Sequence, residues 1–143
     1  MAEHQTIREV MTPGPLTVEA TSTVAEAALA MKGADVGPVP VLDTNGRLCG
    51  ILTDRDITVR VVAEGLDPKT TSVGDVSSVE LIVLSPDDTV DDAVQLMRER
   101  SIRRLPIVDD SGKPVGIVSL GDLAVERDPD SALADISAAR PNT

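Results

Sequence analysis

The chain contains no phenylalanine, tyrosine or tryptophan. Its interior must therefore be built from Val, Leu, Ile, Ala and Met. It has no aromatic platform for stacking bases, which argues against single-strand nucleic-acid binding. Basic residues are scarce as well: 13 Lys and Arg stand against 24 Asp and Glu, a formal net charge of −11. A phosphate backbone needs a basic face, so no nucleic-acid partner is expected. The lone cysteine, Cys49, excludes an internal disulfide and points to a reducing cytoplasm. Its setting, Leu48-Cys49-Gly50-Ile51, reads as a structural thiol in an apolar strand. The lone histidine, His4, leaves no Ser/His/Asp set and almost nothing to hold a metal. No apolar run approaches a membrane span, and Met1–Gln5 lacks the basic and apolar regions of a signal peptide. The expectations are a cytoplasmic protein with no catalytic residues, no metal and no membrane partner.

What the sequence does contain, it contains twice. A shift of 66 positions, taking Gly50 to Gly116, aligns residues 7–61 with 73–127 without a gap. The identities are Val10/Val76, Thr23/Thr89, Val24/Val90, Ala27/Ala93, Met31/Met97, Pro40/Pro106, Asp43/Asp109, Gly46/Gly112, Gly50/Gly116, Ile51/Ile117, Asp56/Asp122 and Val59/Val125. They fall on caps, turns and core positions. Each unit predicts a short lead-in helix (6–11; 73–76), a strand (15–18; 81–84), and then a capped helix. That helix carries one buried stripe, Val24, Ala27, Ala28 and Met31 against Val90, Ala93, Val94 and Met97. A second strand (39–42; 105–108) follows, then turns whose Asn45-Gly46 and Ser111-Gly112 pairs supply left-handed positions. A third strand (48–52; 115–118) runs into a final helix. The expected fold class is α/β (α+β), two β-α-β-β-α units packed as a pseudo-twofold pair. One unit is too small to bury a comfortable core alone. The domains are expected at 1–64 for the first repeat with its lead-in and 73–128 for the second. A connecting segment, 65–72, joins them, and a partly disordered tail, 129–143, follows.

The repeats converge on Gly50-Ile51-Leu52-Thr53-Asp54-Arg55-Asp56 and Gly116-Ile117-Val118-Ser119-Leu120-Gly121-Asp122. In each, a buried strand ends at a Thr or Ser suited to the N-cap, with Asp at the third helical position to complete a capping box. That is one reading. The other is a phosphate seat at the positive end of a helix dipole, with a hydroxyl beside the phosphate and a carboxylate for ribose hydroxyls. Thr23-Val24-Ala25-Glu26 and Thr89-Val90-Asp91-Asp92 serve as internal controls, because no glycine-led strand precedes them and they read as caps only.

Glycine, two apolar residues, Thr or Ser, two variable residues and Asp is a signature that resembles the cystathionine-β-synthase (CBS) domain. Two copies resemble the tandem pair called a Bateman module. Pro40 and Pro106 at the second strand fit the family, and the run Leu52–Ile57 with Gly65-Leu66-Asp67-Pro68 is similar to stand-alone actinobacterial CBS pairs. The resemblance covers roughly residues 6–128. It implies intertwined repeats with an adenosine-containing ligand in the cleft between their sheets. Thr53 and Ser119 would then contact phosphate and Asp56 and Asp122 the ribose. The base would lie against Thr17 and Val39 in one site and Val83 and Leu105 in the other.

The two copies are not alike. Ile102-Arg103-Arg104-Leu105 stands where the first copy has Val36-Gly37-Pro38-Val39. Arg103 and Arg104 either make charge-assisted contacts to phosphate or face solvent. Asp54 and Asp56 are two apart at a helix start and diverge, so they make no hydrolytic pair. Two non-enzymatic functions are open. One is a stand-alone sensor binding an AMP-, ADP- or ATP-like ligand and signalling to a protein partner. The other is a ligand-free, homo-oligomeric interaction module. No cofactor is required by either. A homodimer is expected through the helices, whose apolar residues Val59, Val61, Val62, Leu123 and Val125 exceed what a small two-layer unit must cover.

Overall fold

Every capping signal in the sequence starts a helix. In the computed structural model, which describes residues 5–79 and 82–127 and the side chains to 125, α2 (Val24–Ala34) begins at Thr23 and α5 (Val90–Arg100) at Thr89. Both N-caps form complete capping boxes with the acid three residues on. Val24, Ala27 and Met31 of α2 and Val90, Ala93 and Met97 of α5 are buried, but the expected stripe is narrower than its sequence spacing implied, with Ala28 exposed and Val94 half-buried. Each helix ends on a left-handed residue, Asp35 or Ser101, at φ 55°.

The long strands lie where alternation and turn chemistry put them: β3 (Val39–Leu42), β4 (Leu48–Leu52), β5 (Arg104–Val108) and β6 (Pro114–Ser119). Ahead of them α1 (Ile7–Val10), β1 (Thr12–Pro13) and β2 (Val18–Glu19) are short. One sheet has the order β2-β3-β4, with β2 parallel and β4 antiparallel to β3; the other has the order β1-β6-β5. The fold is α+β, and the first repeat runs β-α-β-β-α. The first strand, expected over 15–18, is confined to β2, since Pro15 has no N–H to give a ladder. Its counterpart is reduced to a parallel bridge from Leu84 to Ile107. Leu81 and the tail expectation for 129–143 lie outside the described residues.

The hairpin turn of the first repeat also departs from expectation. Gly46 alone takes the left-handed conformation (φ 77°) and Asn45 does not. The Asp43 carboxylate accepts the N–H groups of Asn45 and Arg47 at 2.8 and 3.0 Å, and Gly46 N–H closes on the Asp43 carbonyl at 3.0 Å. An Asx turn thus supplies what an Asn-Gly pair was expected to supply. In the second repeat Gly112 (φ 84°) is likewise left-handed and Ser111 is not.

The compact units do not follow the sequence repeats. One comprises the segment through Gly14, Ile82–Asp110 and the segment from Val115; the other comprises Pro15–Leu81 and Ser111–Pro114. Each lead-in thus packs on the other repeat's core. Ile7 N–H donates to Asp88 O at 2.8 Å and Arg8 N–H to Pro86 O at 3.0 Å. Sixty-six positions on, Val73 N–H donates to Ser22 O and Gly74 N–H to Ala20 O, at 2.8 and 2.9 Å. β1 then edges β6 antiparallel, pairing Thr12 with Ile117, just as Ser78 bridges Ile51 on β4.

Each unit has its own aliphatic core. Ile7, Leu84, Val90, Ala93, Met97, Leu105, Ile107, Val118 and Leu123 form one. Val24, Ala27, Met31, Val39, Val41, Leu52, Val61, Val73 and Val76 form the other. Val61 and Leu123, expected on the helix surface, are therefore core residues, and Leu29 (68% exposed) is exposed instead. In the helix after β4, α3 (Asp54–Ile57) passes into a π-helical stretch, Thr58–Val62, in which Val61 is the buried residue. In the other unit α6 (Leu120–Arg127) follows β6. A single turn, α4 (Val73–Val76), precedes Ser77 and Ser78. Among the described residues no helix is long and apolar enough to cross a membrane.

Candidate functional site

β4 buries Leu52 completely and then delivers Thr53 in extended conformation (φ −114°, ψ 162°) to the start of α3. The Thr53 hydroxyl accepts Asp56 N–H at 3.0 Å, and Asp56 Oδ2 accepts Thr53 N–H at 3.0 Å. The second turn repeats this. Ser119 Oγ accepts Asp122 N–H at 3.1 Å and Asp122 Oδ2 accepts Ser119 N–H at 2.9 Å. The control turns at Thr23 and Thr89 are closed in the same way. Capping geometry is therefore common to all four turns and does not by itself mark a site.

Two features set the signature turns apart. The first is burial: Asp56 is 8% exposed and Asp122 half-buried, whereas Glu26 and Asp92 face solvent. Its Oδ2 serves the cap and its Oδ1 lies 3.9 Å from Arg60 Nε, one helical turn on. Arg60 also donates to the Val76 carbonyl at 3.0 Å, which ties the π-helical stretch to α4. The i, i+4 spacing of Asp56 and Arg60 was the available sequence signal for this pair. The second feature is the signature glycine. A Cβ at Gly50 would come within 2.9 Å of Ser78 O and 3.0 Å of Ser77 Oγ; at Gly116 it would meet Met11 Sδ at 2.5 Å and Thr12 O at 3.0 Å. Both glycines admit the crossing lead-in, so this part of the signature is set by packing.

The remaining predicted residues divide. Thr17 is half-buried just ahead of β2, and Val83 is 37% exposed beside the Leu84 bridge. Val39 and Leu105 are fully buried and their side chains belong to the two cores. Val39 pairs with Leu52, which places its backbone next to the Thr53 turn. Arg103 and Arg104 are exposed, and the Arg103 carbonyl accepts Leu120 N–H at 2.8 Å, so the pair sits beside the start of α6. At the equivalent place in the first repeat, Gly37 lies against Asp54: a Cβ there would stand 3.3 Å from Asp54 Oδ1.

An open cavity of about 510 Å³ lies between the end of α2 and the start of α3, lined by Met31, Lys32, Asp35, Asp54 and Thr58 among others. It reaches Asp54 but not Thr53 or Asp56. Cys49 is half-buried; desolvation first, then the Asp43 carboxylate, hold its thiol above the ordinary value, in keeping with an unreactive structural role. Among the described residues no three His, Cys, Asp or Glu side chains gather as a metal site.

Comparison with known proteins bears on both repeats. The family model for the CBS domain matches residues 7–63 and 73–127. CBS domain-containing protein YhcV of Bacillus subtilis is 46% identical over 135 residues, covering 92% of this chain and 94% of that protein. Hypoxic response protein 1 of Mycobacterium tuberculosis is 33% identical over 119 residues, covering 83% of this chain and 82% of that protein. The crystal structure of CBSX2 in complex with AMP superposes with a TM-score of 0.71 at 27% identity, covering 84% of this chain and 93% of that one.

Proposed function

The chain belongs to the CBS domain family, carrying two copies of the domain, and from that membership we propose that it is a cytoplasmic sensory module. It binds an adenosine-containing ligand at its signature turns and signals the occupancy to a protein partner. The observation that carries this reading is the shelter of the acid beside the strand-end hydroxyl, Asp56 buried and Asp122 half-buried where the acids of the two control turns are exposed. The AMP complex of the structurally similar CBSX2 supports the ligand class. Thr53 and Ser119 contact phosphate in this proposal, and Asp56 and Asp122 accept from the ribose. Thr17 and Val83 flank the base, with Val39 and Leu105 contributing backbone.

Asparagine at Asp56 or Asp122 tests it. Asparagine keeps the size of the side chain and can take up helix-start hydrogen bonds, so stability falls by no more than about 1 kcal/mol. A ribose diol loses a charged acceptor, and nucleotide binding weakens by about 1.5–3 kcal/mol, roughly 10- to 150-fold. The measurement is the melting temperature of wild type and both variants with and without AMP, ADP or ATP. A ligand-induced rise in the wild type that is lost in either variant supports the site. If no adenine nucleotide raises the wild-type value, the turns are caps, the reading that the identical geometry at Thr23 and Thr89 favours.

We also propose a homodimer formed through the helices. Its support is Leu29 (68% exposed) on α2 with Val59 (43%) and Val62 (67%) on the π-helical stretch, apolar side chains left uncovered in one unit. Sedimentation equilibrium at micromolar concentration should return twice the chain mass; a monomer there overturns the assembly.

A further inference from the structure

We propose that the N-terminal lead-in is an exchangeable arm. Residues 5–13 of one copy dock on the β6 edge and adjoining core of a second copy, whose own arm docks in return. The partner is thus a second copy of this chain, and the inference goes beyond the ligand-binding reading and does not depend on it.

The arm is tied along its length to one unit. Ile7 N–H donates to Asp88 O at 2.8 Å, Arg8 N–H to Pro86 O at 3.0 Å, and Val90 N–H to Gln5 O at 2.9 Å. Arg8 Nη2 stands 2.9 Å from Asp87 Oδ1. The Ile7 side chain is fully buried in the core that holds Leu84, Val90, Leu105 and Val118. Further along, Thr12 and Pro13 pair with Ile117 and Gly116, and Gly116 leaves the slot that Met11 and Thr12 fill. A second copy offers the same core, edge and slot, so each of these contacts is regained when arms are exchanged.

The covalent tie, by contrast, is a single joint. The boundary between the compact units falls between Gly14 and Pro15: the segment through Gly14 belongs with Ile82–Asp110 and the segment from Val115, and Pro15–Leu81 belongs to the other unit. The equivalent lead-in, Val73–Ser78, lies within the continuous stretch Pro15–Leu81 that forms its own unit. Its chain neighbours hold it there from both sides. Exchange is therefore open to the first lead-in and closed to the second.

The joint is stiff and bent. Pro13 and Pro15 hold their own φ fixed, so the change of direction falls on Gly14, at φ 59°. Proline also pushes the residue ahead of it towards extended backbone. A Cβ built at Gly14 meets nothing within 4 Å, so the bend is imposed by the connection and not by packing around it. The bond from Gly14 N–H to Val115 O, at 3.2 Å, is longer than those at Ile7 and Arg8. Short hinges under strain invite exchange, because opening the hinge into extended chain relieves the bend in both copies.

Disulfide trapping tests the exchange. Thr12 and Ile117 are opposed on antiparallel strands, where Cα atoms stand about 4.5–5.5 Å apart, within reach of a disulfide. The variant C49S/T12C/I117C is refolded from urea at millimolar concentration, oxidised, and run on a denaturing gel with and without reductant. Far-UV circular dichroism melts check that it folds. A dimer that reductant dissolves is expected. C49S/T12C and C49S/I117C should each stay monomeric alone and give the heterodimer when refolded together. Adding G14A to the trapping variant should lower the concentration for half-dimer by about 30-fold, two joints each relieved of the roughly fivefold cost of a left-handed L-residue. An internal disulfide, read as a monomer without free thiols, would overturn the exchange, as would dimers of either single variant, which mark collision between surface thiols. Thiols that stay free would overturn the register on which it depends, and a dimer fraction unmoved by G14A would overturn the bent joint as its cause. The helix-face dimer proposed above comes apart in denaturant and leaves no band in this test.

Discussion

Leu105→Ala should lower the stability of the protein by about 2–5 kcal/mol, the range for truncating a fully buried leucine and leaving the cavity unfilled. Leu105 is 0% exposed and shares its core with Ile7, Val90, Ala93, Met97, Ile107, Val118 and Leu123. With no Phe, Tyr or Trp in the chain, small aliphatic neighbours must close the gap. They are anchored on α1, α5, β5, β6 and α6, so collapse into the space is limited. Urea denaturation followed by far-UV circular dichroism measures the loss, since the chain has no Trp or Tyr to report by fluorescence. Val83→Ala is the control: at 37% exposure it should cost under about 1 kcal/mol. A loss under about 1 kcal/mol for Leu105→Ala as well would mean that its side chain is free to serve a ligand.

The second large effect is expected at Gly50. Gly50→Val should cost about 3 kcal/mol, at the upper end of the overpacking range, because the first added carbon already meets a backbone carbonyl at 2.9 Å. That carbonyl belongs to Ser78, which exchanges two hydrogen bonds with Ile51 at 2.9 and 2.8 Å, so relief by movement breaks the bridge. Gly116→Val should cost less. Its nearest obstacle is the Met11 sulfur, on a flexible side chain that can turn away, although the Thr12 carbonyl at 3.0 Å stays in place. Urea midpoints for the two variants give the comparison; equal losses, or a smaller loss at Gly50, would show that the Ser78 crossing yields as easily as the methionine.

The repeat was legible because its matching residues do local work. Thr23, Thr53 and Thr89 cap, Gly46 and Gly112 turn, and Met31 and Met97 close stripes, each within a few residues of its partners. β3 and β4 of the first repeat came out at the boundaries the sequence implies. The exchange of lead-ins was not legible. A shift of 66 positions says that Ile7 corresponds to Val73, but not which core either one enters, since that depends on contacts far apart in sequence. Gly50 and Gly116 carried the missing signal, an unfilled space on a strand, though it reads equally as room for a ligand. At the candidate site, hydroxyl and acid were legible through the capping-box spacing. Val39 and Leu105 were harder, because their strands are buried at three successive positions and carry no alternation to show which way a side chain faces.

The crossing of the lead-ins also has a consequence for synthesis. Residues 6–13 precede the other described elements, yet the strand they edge, β6, is the last strand to be made. The unit built around β4 can close its sheet edge once Ser78 has emerged, whereas β1 of the other must wait for Gly116 and Ile117, about a hundred residues on. Ile7, which will be fully buried, has no core partner until Leu84 and α5 are made. Pairings so distant along the chain close slowly, so the N-terminal segment is where a nascent chain of this protein is most exposed to proteases and to mispairing with a neighbouring copy.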